Sequence, residues 1–397
     1  MRGPGAVPPR GGPRRAMSRG RLRLAVHATS PVVIRFGRLG DTVLLAPLLR
    51  KLHLRYGAPC RLVSLGACSR TLYESSEDVA EVHWFASQHG WLWTNPRRFA
   101  VALALRSMRE APFYICEPDV RTRTKVRPML ALAGIAPEHC VFIEDIPLRE
   151  GEHWIDWLLR FGDLAPAAFA ATPALDPSPR TRAPSIRATP VERAQARAWL
   201  DTHGFGAAQP LVLMQPANKR TMRWNGMRDA ADDDKSWPAS RWAALARAIL
   251  QWQPEAQILL CGCAAEAGYL ESIRAETGLP RLLAPAGGLP LGLLRGLTEL
   301  AHSMVSVDTG PAHLAAATGC PLVVLFGHRW PSMWAPRSAC GSAVTVLGGL
   351  PHTSRVDLIG VEEVAQAWWR LPPRVEGNAT VAAAMAGRRL RAAYSAG

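Results

Sequence analysis

No stretch of this 397-residue chain approaches the ~18 consecutive apolar residues of a membrane-spanning helix. Its opening also lacks the apolar core of a secretory signal, so the chain is expected to be soluble or peripheral to a membrane. No internal repeat is apparent. The eight cysteines (Cys60, Cys68, Cys116, Cys140, Cys261, Cys263, Cys320 and Cys340) form no paired framework and sit mostly in apolar contexts, as reduced thiols of a cytosolic protein do. Only Cys261-Gly262-Cys263 is a close pair, and without a second pair or a nearby histidine it does not make a zinc site. Acid is absent from residues 1–30, where Arg2, Arg10, Arg14, Arg15, Arg19, Arg21 and Arg23 supply +7 of a formal net charge of +15. This opening has the charge of an organelle-targeting peptide, but its Gly and Pro content opposes an amphipathic helix. It reads as a disordered basic extension, or as residues upstream of initiation at Met17. The overall positive balance points to acidic partners: nucleic acid, an anionic membrane face or a phosphorylated substrate.

With 48% hydrophobic residues, the chain can bury two domain-sized cores at roughly 150 residues per domain. Short β-branched runs alternate with segments of helical periodicity in both halves. In the first half, strands are predicted at Val32–Phe36, Arg61–Leu65, Glu81–Phe85, Phe113–Glu117 and Cys140–Ile143, with helices at Leu44–Tyr56, Arg97–Met108 and Val126–Gly134. In the second, strands fall at Pro210–Gln215, Gln257–Cys261 and Ala343–Leu347, with helices at Val191–His203, Ser240–Gln251, Glu266–Thr277, Leu291–His302, Val361–Leu371 and Ala382–Ser395. Such alternation implies parallel sheets. The boundaries follow: a basic extension (1–30), a first α/β domain (31–173), a Pro-rich linker (174–190), a second α/β domain (191–352) and trailing helices (353–397). Two such halves facing a cleft place a ligand site between them.

The most informative segment is Met304 to Gly327, MVSVDTGPAHLAAATGCPLVVLFG, in which strand, acidic turn, helix start and second strand follow one another. Pro311 suits a first helical turn because it has no N–H to lose there. Gly310 permits close backbone approach, and Thr309 adds a hydroxyl. The helix start leaves free N–H groups and the positive end of the peptide dipoles facing outward, a ready seat for phosphate. His313, four residues past Thr309, can point to the same opening. An ordinary βαβ unit in which Asp308 caps the helix has the same pattern.

Three elements in order resemble glycosyltransferase family 9, the heptosyltransferases of lipopolysaccharide core synthesis. PVVIRFGRLGDTVLLAPLLRKL is similar to the family's amino-terminal signature of strand, R-x-G-x-x-G-D and Pro-containing helix. DDDKSWPASRWAALA (232–246) is similar to its K-x-W-P element, and VSVDTGPAHLAAATGCPLVVLFG to its carboxy-terminal signature. The resemblance spans Pro31 to Pro336. It implies a GT-B fold, in which two Rossmann-like α/β domains face a cleft, the second binding a nucleotide sugar and the first the acceptor. It implies an inverting transfer of heptose or a related sugar, usually from ADP-heptose, with no cofactor and no metal-binding D-x-D triad.

An inverting transfer needs a base on the acceptor hydroxyl, and Asp41, in the turn after the first strand, has the chemistry and place for it. Capping the helix from Thr42 is the alternative role. The donor side has to stabilise a leaving diphosphate. Lys235 would supply a point charge, and Thr309, Gly310 and Pro311 the helix-start donors, with Gly40, Asn218, Asp308 and His313 in the same donor-binding set. Asp308 is expected at sugar hydroxyls or the cap. Glu266, four residues past Gly262, fits a ribose-hydroxyl acceptor. The run Asp232-Asp233-Asp234 reads as a solvated loop beside Lys235. Arg121, Arg123 and Lys125 are candidates for the carboxylates or phosphates of an acidic core acceptor, and a solvated basic loop reads the same way.

The chain departs from the family at Gly327-His328-Arg329, where G-P-T is usual, and in an insertion at 219–231 that contains Trp224. The expected partners are a nucleotide sugar, a lipid-linked oligosaccharide and the inner-leaflet surface, with a cytoplasmic, peripheral location, no specific nucleic acid and a monomeric chain. A non-catalytic sugar-nucleotide binder is the other reading. A dinucleotide-dependent oxidoreductase is disfavoured, because Gly37-x-x-Gly40 falls short of G-x-G-x-x-G and no acid ends the second strand.

Overall fold

The computed structural model describes residues 29–86, 96–118, 120–175, 182–223, 226–228 and 230–374. The Ala382–Ser395 helix, nearly all of the basic extension and Trp224 lie outside them.

Five strands, β1 (Val32–Arg35), β2 (Cys60–Leu65), β3 (Val79–Phe85), β4 (Phe113–Ile115) and β5 (Cys140–Phe142), form a parallel sheet in the order β3-β2-β1-β4-β5. Val32 pairs with Arg61 on one side and Phe113 on the other, so β1 is central. β1 and β4 are buried along their whole length, as expected of parallel strands covered on both faces. The helices of this half are α1 (Leu39–Leu44), α2 (Ala46–Tyr56), α3 (Cys68–Tyr73), α4 (Pro96–Arg106), α5 (Val120–Leu132) and α6 (Trp154–Phe161).

Helices α3 and α6 were not foreseen in the sequence, and α1 and α5 begin earlier than expected. Helix begins at Leu39 rather than beyond Asp41, because Asp41 accepts the Arg38 amide at 3.0 Å and closes the first turn. The Arg121–Lys125 stretch is helical, within α5, rather than an alternating loop.

The second half opens with α7 (Pro190–Thr202), capped reciprocally by Thr189 and Glu192. A six-stranded parallel sheet follows, built from β6 (Leu211–Gln215), β9 (Gln257–Leu260), β10 (Leu282–Leu283), β11 (Ser303–Val307), β12 (Leu322–Phe326) and β13 (Val344–Gly348), in the order β10-β9-β6-β11-β12-β13. A small antiparallel hairpin, β7 (Met222–Arg223) and β8 (Gly226–Met227), occupies the insertion after β6. Helices α8 (Ala239–Trp252), α9 (Ala267–Thr277), α10 (Leu291–Leu300), α11 (Gly310–Ala317), α12 (Pro331–Trp334) and α13 (Val361–Trp369) complete it.

One contiguous apolar cluster joins the halves, including Leu48 and Leu158 on one side and Leu213 and Leu314 on the other. Buried Arg295 of α10 braces the same boundary, bonding both Glu192 oxygens and the Leu72 carbonyl at 3.0 Å. No helix among the described residues is long and apolar enough to cross a membrane.

Candidate active site

Both sheets reverse direction of build at an inner strand, and ligands of open parallel sheets bind outside the carboxyl ends of the strands at such a switch point. In the first sheet the reversal lies between β1 and β4, in the second between β6 and β11. The two points face each other. Residues after β1 (Arg38 to Asp41), after β6 (Asn218, Lys219) and after β11 (Asp308 to Pro311) line one cavity of 340 Å³, together with Lys235, His313, Arg329 and Trp334.

Glycine lets the two helix starts meet there. A Cβ on Gly310 would lie 2.8 Å from Leu39 Cβ and 3.0 Å from the Gly40 amide nitrogen, and one on Gly40 would lie 3.0 Å from His313 Cδ2. Neither position has room for a side chain.

Asp41 is the acidic group on the first-domain wall. Its Oδ1 accepts from Arg35 Nη2 at 2.8 Å, and its Oδ2 accepts the Arg38 amide. Burial pushes its pKa up, but the Arg35 charge and the Arg38 amide outweigh burial and hold it below the usual carboxylate range. Asp41 is thus an ionised carboxylate whose side chain is 29% exposed to the cavity. Arg35 itself is buried at the end of β1. It donates to the Cys116 carbonyl at 2.9 Å, lies 3.4 Å from Glu117 Oε1 beyond β4, and stands 5.0 Å from the Trp154 ring centre. Glu117 Oε2 in turn accepts the Phe36 amide at 3.0 Å.

On the opposite wall, Lys235 is ion-paired with Asp308, so Asp308 is not spent capping α11. The N-cap of α11 is Thr309, whose hydroxyl makes no capping bond and stays available. His313 is buried, and its Nδ1 has no hydrogen-bond partner among the described residues. Burial, aided by the Lys235 charge, lowers its pKa against the raising effect of Asp308 and Asp41.

The acidic run before Lys235 is no solvated loop. Asp233 is fully buried and takes hydrogen bonds from Asn218 Nδ2 and Ser236 Oγ, both at 2.8 Å, and from the Lys235 amide at 3.3 Å. This knot fixes both Asn218 and Lys235 at the cavity. Asp234 accepts the His328 amide at 3.1 Å and pairs with Arg220. The insertion is thereby tied to the His328-Arg329 turn.

The cavity thus gathers Gly40, Asp41, Asn218, Lys235, Asp308, Thr309, Gly310, Pro311 and His313. Glu266, Arg123 and Lys125 do not line it. Glu266 sits past β9, where its Oε2 accepts the Cys263 amide at 2.8 Å. Arg123 pairs with Glu144 on the far side of β4, and the side chain of Arg121 lies outside the described residues.

Sequence reasoning did not single out Arg35, Arg38, Lys219 or Trp334 for the site, and flagged Arg329 only as a departure. Arg38, Lys219 and Arg329 have no carboxylate partner among the described residues. Burial, and then the charges of Arg38, Lys235, Arg220 and Arg329, depress the Lys219 pKa. Such crowding of cations marks a cavity suited to an anion.

Residues 195–357 match the family model described as glycosyltransferase family 9 (heptosyltransferase). No curated protein matches the chain. Among solved structures, a family 9 glycosyltransferase from Veillonella parvula is similar over 86% of this chain and 96% of its own, at 17% identity and a TM-score of 0.67. The E. coli ADP-heptose lps heptosyltransferase II is similar over 86% and 97%, at 19% identity and a TM-score of 0.62. E. coli heptosyltransferase WaaC with ADP is similar over 86% and 99%, at 16% identity and a TM-score of 0.55. At these identities the likeness shows the fold, which is GT-B.

Proposed function

We propose that this glycosyltransferase is a member of family 9 and transfers a heptose or related sugar from ADP-heptose or another nucleotide sugar to an acidic lipopolysaccharide core acceptor, with inversion. The observation that carries the reading is the cavity itself, where an ionised, half-open Asp41 faces a wall of anion-binding groups built from Lys235 and the start of α11.

In this reading Asp41 takes the proton of the acceptor hydroxyl as that oxygen attacks the anomeric carbon. The bond from that carbon to the diphosphate breaks on the opposite face, and the nucleoside diphosphate leaves. Lys235, the Thr309 hydroxyl and the helix-start amides receive the growing phosphate charge, supported by Lys219 and Arg329. The cations and helix dipole can do this without a metal. Asn218 and Pro311 shape the diphosphate seat, and Gly40 and Gly310 keep the two walls close enough for attack. Asp308 passes from Lys235 to the sugar hydroxyls when the diphosphate takes the lysine, and His313 Nδ1 offers a further hydrogen bond to the sugar. Glu266, with Oε1 still available, meets the ribose of a donor that extends along the carboxyl edge from β6 toward β9. Arg121, Arg123 and Lys125, outside the cavity, remain the proposed contacts for the acidic groups of an extended acceptor.

The lipid-linked acceptor places the enzyme in the cytoplasm, peripheral to the inner membrane. Clustered arginines of the amino-terminal extension and of the segment holding Arg388, Arg389 and Arg391 support that placement.

A calorimetric screen of ADP-, UDP- and GDP-sugars, followed by turnover with a 3-deoxy-octulosonate-terminated acceptor, tests the reading. ADP-heptose is expected to bind and turn over. Binding of every sugar nucleotide without transfer to any acceptor would favour a non-catalytic binder.

A further inference from the structure

The segment after β12 crosses to the first domain and grips α6 at three points. The Trp334 ring stacks on Trp154 with centres 4.9 Å apart and planes 19° apart. His153 Nε2 meets the Ala335 carbonyl at 2.9 Å, and the Arg337 guanidinium spans both Asp156 oxygens at 2.9 and 2.7 Å. Because His153 Nδ1 accepts the Ile155 amide at 3.1 Å, Nε2 carries the proton in that first bond.

Trp154 has a second neighbour. The guanidinium of Arg35 lies over its ring, and Arg35 stands between two carboxylates, 2.8 Å from Asp41 and 3.4 Å from Glu117. Its Nε has no hydrogen-bond partner among the described residues, so the ring, rather than a further hydrogen bond, holds that side of the group. Without the ring, the tilt of the guanidinium is set by the Cys116 carbonyl and the two carboxylates alone, and rotation toward Glu117 would draw it off Asp41.

We propose that Trp154 is a positioning residue: docking of the second-domain segment 331–337 on α6, through Trp334, fixes Arg35 on Asp41 and so sets the orientation and charge state of the base. This rests on the reading of Asp41 as the base, but its structural content is independent of it. The link ties readiness of the acceptor-side wall to the position of the domain that carries the donor site.

The test reads Asp41 directly. The carboxyl carbon of Asp41 is followed by pH titration in the full chain labelled with 13C-aspartate, its signal assigned by Asp41→Asn. Arg35, the Arg38 amide and His313 face this carboxylate, with Glu117 behind Arg35 and the Lys235–Asp308 pair beyond His313. Loss of Arg35 from that set raises the Asp41 pKa, whereas the other groups stay in place. Trp334→Ala and Trp154→Ala are each expected to move the titration up by about one unit, a tenfold change in proton affinity. Trp154→Phe, which keeps a ring under Arg35, is expected to leave it near the wild-type value. Trp154 is nearly fully buried, and if its alanine variant does not fold, Trp334→Ala on the other domain decides alone. An unchanged Asp41 titration in folded Trp334→Ala overturns the proposal. Turnover that survives Asp41→Asn overturns instead the assignment of the base, and leaves the titration result standing.

Discussion

Lys235 and Asp308 form an ion pair in the wall of the interdomain cavity, their side chains 11% and 10% exposed. In Lys235→Ala the Asp308 carboxylate keeps its burial and loses its partner. Removing one member of a buried pair costs about 3 kcal/mol, so a lower melting temperature is expected. Transition-state charge on the diphosphate also loses its nearest cation, and turnover is expected to fall about 100-fold. Melting curves and steady-state turnover check both halves, and calorimetry with ADP reads the diphosphate contact itself. A variant that melts lower but binds ADP as the wild type does would confine Lys235 to a structural role.

Gly37 tests the placement of Asp41 by steric means alone. Its backbone is not in the left-handed region, but a Cβ there would lie 2.3 Å from Asp41 Cβ and 3.2 Å from Arg35 Nε. Gly37→Ala is expected to push Asp41 aside, lowering turnover by about 100-fold while donor binding changes little, at a stability cost of about 1–3 kcal/mol. Steady-state kinetics beside calorimetry separate the two effects.

His153 predicts how stability depends on pH. Burial first, then the Arg337 charge, lowers its pKa to about 4 from an ordinary value of 6.5. The unfolded chain therefore binds the proton more readily than the folded one between those values. The contribution of neutral His153 is complete above pH 6.5 and is lost as pH falls toward 4, and the difference corresponds to about 3 kcal/mol. Protonation would also remove the Nδ1 lone pair that caps α6. Chemical denaturation of wild type and His153→Asn from pH 7 to 4 should show their stability difference shrinking as pH falls, because Asn caps the helix without titrating.

Much of this was legible along the chain. The strands announced themselves as β-branched runs, and segment 304–327 displayed its strand, turn and helix start in order. Asp41 was visible because it follows the first strand. Its partners were not: Glu117 is 82 residues from Arg35, and only the order β3-β2-β1-β4-β5 brings the ends of β1 and β4 together. Asp233 misled for a different reason. A run of three acids looks solvated, yet the middle one is buried under four donors from Asn218, Arg220, Lys235 and Ser236. Helix α6 was missed although Asp156 and Arg160, four residues apart, leave an apolar face of Trp154, Ile155, Trp157, Leu158 and Phe161, because eight residues are too short a run for that spacing to stand out from a buried strand. Trp334 needed the partner ring of Trp154 to acquire meaning.

The pH profile of kcat/KM follows from the Arg35 contact. With Asp41 held ionised below the usual carboxylate range, its acid limb is expected to lie below that of an ordinary aspartate, and this group should leave the rate unchanged around neutral pH. Arg35→Met, which removes the charge and keeps most of the bulk, should move that limb upward. A limb that stays fixed in a folded Arg35→Met variant would assign it to another group.

The central claim is that Asp41 takes the acceptor proton, and Asp41→Asn tests it most directly because the side chain keeps its shape and loses its basicity. Donor binding by calorimetry and transfer to the 3-deoxy-octulosonate-terminated acceptor are measured on the same preparation. Unchanged ADP-heptose affinity with turnover reduced at least 1,000-fold, within the range expected for loss of a general base and its charge, is the predicted result. Turnover within threefold of wild type would contradict the account.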